Sequence, residues 1–314
     1  MPPYYTAPML LQVLPPKLRS GTIWQYTSTA GLLGILETGG LWVSSARTLN
    51  DSGEIEYGAA RMHERWAARR SDFPDAEVIE ELLAEGALSR RQDLFVACAS
   101  TEGDSLSQFR AYGSYAVGLR ADIPLRVRRD RSGEEAFGFS WPSDVEADLT
   151  ADNGWRPVLY DRDEQDALID AFLEHVARKV ASNVASGRTT VTEDDEAADD
   201  TAFEREVFAS QFIAVAAHLK HEAFRDEKEV RLFAQLSLSN PAVKVRAGRL
   251  GLTPFFVAEP NPGPDAESEL DSVLTEVRIG PGLLDPRAAM DGLKMGLQKF
   301  KLSALATQLE IPLR

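Results

Sequence analysis

Between Asp93 and Ser100 the chain runs Leu94-Phe95-Val96-Ala97-Cys98-Ala99, six apolar residues in succession. A strand with one wet face alternates polar and apolar side chains, so an almost unbroken apolar run reads as a central strand. Cys98 within it reads as a small buried hydrophobe rather than a nucleophile. Thr22–Thr27, rich in β-branched and aromatic residues, and Leu41–Ser44 are further strands. Ser28 or Thr29 caps the helix between them, with Leu32, Ile35 and Leu36 at helical spacing and Gly39-Gly40 closing it. Tyr115–Leu119, 227–233, 243–246, 255–257 and 275–279 supply more strands. Two long helices, roughly 162–185 and 201–219, carry the stripes Phe172/Val176/Val180/Val184 and Phe208/Phe212/Val215/Leu219. Asp285-Pro286 starts a helix reaching about Lys299. This order does not alternate strand and helix. It predicts an α+β fold with a mixed, mostly antiparallel sheet core and flanking helices. Residues 1–20, rich in proline, form an extended arm, and 21–314 a single domain with a helical insertion at about 160–220.

The chain of 314 residues has a net charge of −15, which argues against broad contact with nucleic acid, since phosphate binding rests on clustered Lys and Arg. One cysteine excludes an internal disulfide and a cysteine-rich metal site, and suits a reducing cytoplasm. No apolar run reaches membrane length and no signal-peptide pattern opens the chain, so the expected place is the cytoplasm, without a membrane partner. The acid run 193–200 reads as a solvated loop.

Three polar clusters fall at strand ends and turns, where sites are usually built. Glu227, Glu229 and Arg231 sit two apart in Arg225-Asp226-Glu227-Lys228-Glu229-Val230-Arg231-Leu232-Phe233, so an extended chain points all three one way and sends Val230 and Leu232 into a core. A solvated strand face explains the same spacing. Leu49-Asn50-Asp51-Ser52-Gly53-Glu54 has capping-box spacing between Asp51 and Glu54, which leaves Asn50 unexplained. Asp104-Ser105-Leu106-Ser107-Gln108-Phe109-Arg110-Ala111-Tyr112-Gly113 is a capped helical turn whose Arg110 can hold a phosphate or carboxylate bidentately, or lie solvated. The four histidines read as structural or surface groups; His221 is the one nearest the acidic stretch. Neither a glycine-rich phosphate loop nor a metal-spaced His/Cys cluster occurs, and no metal is expected.

Trp24-Gln25-Tyr26-Thr27-Ser28, Leu41-Trp42-Val43-Ser44, the two turns above, Phe224–Arg231 and the closing Ile311-Pro312-Leu313-Arg314 together resemble the bacterial domain-of-unknown-function family 2971, over nearly the whole chain. That family in turn resembles the ADP-ribosyltransferase fold, with its strand–helix–strand opening and a late strand carrying Glu-x-Glu. The resemblance implies an enzyme that cleaves NAD, as substrate, and transfers ADP-ribose to a protein or nucleic-acid acceptor, as a toxin or anti-phage effector. It makes Glu229 the carboxylate that stabilises the oxocarbenium-like ribose and Glu227 the group that orients or deprotonates the acceptor. Gln25, Tyr26 and Thr27 would hold nicotinamide and ribose; Asn50 and Arg110 would contact ribose or pyrophosphate, and Ser44 and Tyr112 complete the set. Gln25 stands where relatives carry His. Two other readings remain: a non-catalytic module that senses a nucleotide or nucleic-acid end, and a metal-dependent nuclease using Asp51, Glu54, Glu227 and Glu229.

Overall fold

The computed structural model describes residues 13–46, 52–88, 94–123, 125–128, 154–185, 205, 208–209, 211–236, 238–248, 251–260 and 270–309. Among the described residues, eleven strands form one sheet. They are β1 (Thr22–Thr27), β2 (Leu41–Ser45), β3 (Leu94–Ser100), β4 (Tyr115–Arg120), β5 (Leu125–Val127), β6 (Arg156–Pro157), β7 (Glu229–Gln235), β8 (Lys244–Gly248), β9 (Gly251–Pro260), β10 (Leu274–Ile279) and β11 (Leu305–Gln308). Of the described pairs only β10–β11 runs parallel. The helices are α1 (Thr29–Thr38), α2 (Ser52–Arg69), α3 (Ala76–Leu88), α4 (Leu106–Tyr112), α5 (Arg162–Ala185) and α6 (Pro286–Lys299). The chain is thus α+β, with a mostly antiparallel sheet and helices on its flanks.

The apolar run is central, as its pattern demands. β7 pairs with β3 along its whole length, from Leu94↔Gln235 to Ser100↔Glu229. On the other edge two strands share β3. β2 takes Val96 and Phe95 through Ser44 and Ser45, and β1 touches it only at Trp24↔Ser100. β1 and β2 therefore part company beside Ala97–Ala99, and α1 bridges them. Ser28 Oγ accepts from Gly31 N–H at 3.2 Å to start that helix, and Gly39 ends it at φ 63°, a conformation that favours glycine.

Alternation along β3 feeds two cores. Phe95, Ala97 and Ala99 join Val230, Leu232, Val43 and the α1 and α6 side chains Leu32, Ile35, Leu36, Leu293 and Leu297. Leu94 and Val96 join Phe233 and residues of α2, α3, α5 and 208–219. The helices at 160–220 thus lie on the sheet itself. Residues 14–18, within the expected extended arm, lie against the domain: Leu14 is buried, Leu18 N–H donates to Trp155 O at 2.8 Å and the Arg156 guanidinium donates to Pro15 O.

The helical layer seats α2 closely against the 211–216 helical stretch. A Cβ on Gly58 would lie 1.9 Å from Ala216 O and 2.6 Å from its carbonyl carbon. Gly58→Ala gains helix propensity of about 1 kcal/mol, yet must push two backbones apart. The expected net result is a loss of about 1–3 kcal/mol in urea unfolding; a more stable variant would contradict the close approach.

Candidate functional site

Glu227 is not on a strand. Glu222–Glu227 form a 3-10 turn, Lys228 closes it in the left-handed region at φ 43°, and β7 begins only at Glu229. His221 caps the turn, accepting Ala223 N–H on Nδ1 at 3.1 Å, and does not serve the acids. Regular alternation therefore does not align the two glutamates. A lysine does. Lys220 Nζ reaches Glu227 Oε2 at 2.5 Å and Glu229 Oε2 at 2.8 Å, with only 3% of its side chain exposed.

Lys220 is held from behind. Its N–H donates to Leu159 O at 3.1 Å, and the Gln165 amide of α5 donates to both Lys220 O and Leu159 O at 2.9 Å. Gln165 Oε1 in turn accepts from Tyr57 Oη and Arg61 Nε. Arg231 completes the cluster. Its Nε and Nη2 meet Glu229 Oε1 and Oε2 at 2.6 and 2.9 Å, and its Nη1 donates to Ala217 O. The Tyr160 hydroxyl accepts Glu229 N–H at 3.0 Å. Two cations and two anions so arranged are neutral together, and each buried charge has partners.

The two carboxylates differ. Glu229 is buried, which alone would raise its pKa, but the Arg231 guanidinium and the Lys220 ammonium outweigh burial and hold it well below the usual carboxylate range. Both of its oxygens are committed. Glu227 keeps 21% of its side chain exposed. Tyr112, 41% exposed as a residue, is close enough to feel this pair: burial and then the charges of Cys98, Glu227 and Glu229 push its phenol pKa up, so it stays protonated at neutral pH.

Because the folded pKa of Glu229 lies below its unfolded value near 4.5, its contribution to stability is present above that pH and drains away as pH falls through the folded value. Urea unfolding between about pH 6 and about pH 3 should show stability falling on acidification, more steeply than in Glu229→Gln. Equal slopes would mean the carboxylate is not favoured by folding.

The other expected residues divide. Tyr26 belongs to the same end of the sheet: its Oη donates to Glu102 O at 2.7 Å and accepts Ser105 N–H at 2.9 Å, while its ring meets Phe109 edge-on at 4.8 Å. From there Glu102 N–H donates to Ser100 Oγ (3.1 Å), which donates to Glu227 O (2.6 Å), so Tyr26 and the acids share one hydrogen-bonded chain. The single Tyr26 proton is thereby spent on backbone. Gln25 and Thr27 pair with Val117 and Tyr115 on the opposite face, and Thr27 Oγ1 fills the space beside Gly31. They share no wall with Tyr26. Arg110 is exposed on α4, two residues before Tyr112. Ser44 is on the same face of the sheet as Glu229, but its β3 partner is Val96, four residues from Ser100, or about 13 Å along the strand. Asn50 and Asp51 lie outside the described residues, as does the side chain of Glu54. Sequence reasoning placed Tyr160 and Gln165 in no site; Lys220 carried a signal, a cation seven residues before an acid pair.

Among the described residues, no group of three or more His, Cys, Asp or Glu is placed to hold a metal, and no helix is long and apolar enough to cross a membrane. Comparison with protein-family models, with curated proteins and with solved structures finds no match.

Proposed function

We propose that the protein is an NAD-cleaving, ADP-ribosyltransferase-like enzyme in which Glu227 faces the nicotinamide ribose. The observation that carries this reading is the convergence of Glu227 and Glu229 on one buried lysine, with the Tyr112 phenol near enough to feel both charges. Breaking the bond from ribose C1′ to the nicotinamide nitrogen sends the electron pair to nicotinamide and leaves positive charge on the ribose. An accessible carboxylate held in place by Lys220 stabilises that charge, and the acceptor's oxygen or nitrogen then bonds C1′ and loses its proton to solvent or to the same carboxylate. Glu229, with both oxygens taken, fixes Lys220 and Arg231 rather than touching substrate. The acceptor is a protein, a nucleic acid or water, and the biological setting is a toxin or anti-phage effector.

One observation favours a second reading. A carboxylate saturated by two cations, as Glu229 is, suits a module that binds a nucleotide without turning it over. Incubation with NAD, alone and with lysate or nucleic acid, separates the two. Release of nicotinamide or transfer of label by the wild type and not by Glu227→Gln supports the enzyme; saturable binding with intact NAD supports the sensor.

A further inference from the structure

Arg246 lies on β8, separated from β7 and the acid cluster by β3, β2 and β9, and outside the site described above. Its guanidinium packs over Trp42 at 5.3 Å and Phe255 at 5.9 Å, two rings that touch each other at 5.0 Å. Nη2 donates to Ser44 Oγ at 3.0 Å, and Nη1 makes a long contact of 3.5 Å with the carbonyl of Ala247. Nε is buried without an acceptor among the described residues. Arg61, Arg126, Arg231 and Arg278 each meet a carboxylate; Arg246 meets none among the described residues. Desolvation lowers its pKa, and no acid among the described residues offsets it.

A half-buried guanidinium with no counter-charge among the described residues, fixed in orientation by two aromatic rings, is a preorganised receptor for an anion. Ser44 strengthens the case. It is 92% buried by its 8% exposure, and because its oxygen accepts from Arg246 its own proton remains to be donated. The donors come from two strands, β8 and β2, and lie 3.0 Å apart, close enough to meet the oxygens of one oxyanion. A guanidinium and a hydroxyl side by side match the several acceptor oxygens of a phosphoryl group, and Arg is a residue of choice for phosphate recognition. We propose that Arg246 and Ser44, backed by Trp42 and Phe255, form a binding site for a phosphoryl oxyanion.

The site needs no NAD turnover, so it and the enzymatic reading fail separately. The test is a titration of inorganic pyrophosphate into the full chain at fixed ionic strength, followed by tryptophan emission and melting temperature. The wild type should show a saturable emission change that Trp42→Phe removes, with a matching rise in melting temperature. Arg246→Gln should weaken binding at least about tenfold, and Ser44→Ala about threefold. Arg246→Lys, which keeps the charge but loses the fork, should lose at least about threefold and decides the matter should Arg246→Gln not fold. A wild type without a saturable response, or undiminished binding in the Arg246 variants, overturns the assignment.

Discussion

Arg231→Met lowers the free energy of unfolding by about 3–5 kcal/mol, a large share of a typical domain's stability. The guanidinium is 1% exposed and makes two of the contacts that keep Glu229 ionised. Methionine matches its volume roughly but leaves a buried carboxylate with Lys220 alone, and Lys220 is shared with Glu227. It also strands the Ala217 carbonyl that Arg231 serves. The loss is therefore a penalty for the unpaired charge, not the worth of the pair. Removing the charge as well should recover much of it: Arg231→Met with Glu229→Met leaves Lys220 and Glu227 as a simple pair. A double-mutant cycle by urea unfolding should show coupling of at least about 2 kcal/mol between the two positions. Additive losses would mean that water reaches Glu229 and that the cluster is not a sealed unit.

The parts of this architecture that were legible beforehand are those set by local period. β3 reads as central because six apolar residues leave no polar face, and both of its faces are indeed covered. α1 reads from its serine cap, its leucine and isoleucine spacing and its terminal glycine. The site was less legible because it is held by contacts between distant residues. Strand alternation put Glu227 beside Glu229, whereas a histidine cap and a left-handed Lys228 fold it into a turn, and Lys220 restores the pairing in three dimensions. Alternation did carry one usable warning: Gln25 and Thr27 flank Tyr26 and must face away from it. Nothing near Tyr26 in sequence reveals that Glu102 and Ser105 consume its hydroxyl. Arg246 was invisible for the same reason, since its setting depends on the β8–β9 register that lays Lys244 against Phe255 and on β2 beyond it.

Glu227→Gln separates catalysis from architecture. If Glu227 faces the ribose, the amide removes the negative charge that the oxocarbenium-like state requires, and nicotinamide release should fall by about 10²–10⁴-fold. The fold should barely notice. Glu227 is partly exposed, its backbone carbonyl still receives Ser100 Oγ, and Lys220 still neutralises Glu229. The melting temperature should therefore stay within a few degrees of wild type. Glu229→Gln should show the reverse order of effects: a marked loss of stability, because Arg231 is left buried beside a neutral group, and a smaller loss of turnover per folded molecule. Measuring rate and stability on both variants makes the division of labour testable. Wild-type turnover in Glu227→Gln, with activity lost only where the cluster is broken, would move the chemistry to another group and leave this carboxylate as the outer partner of Lys220.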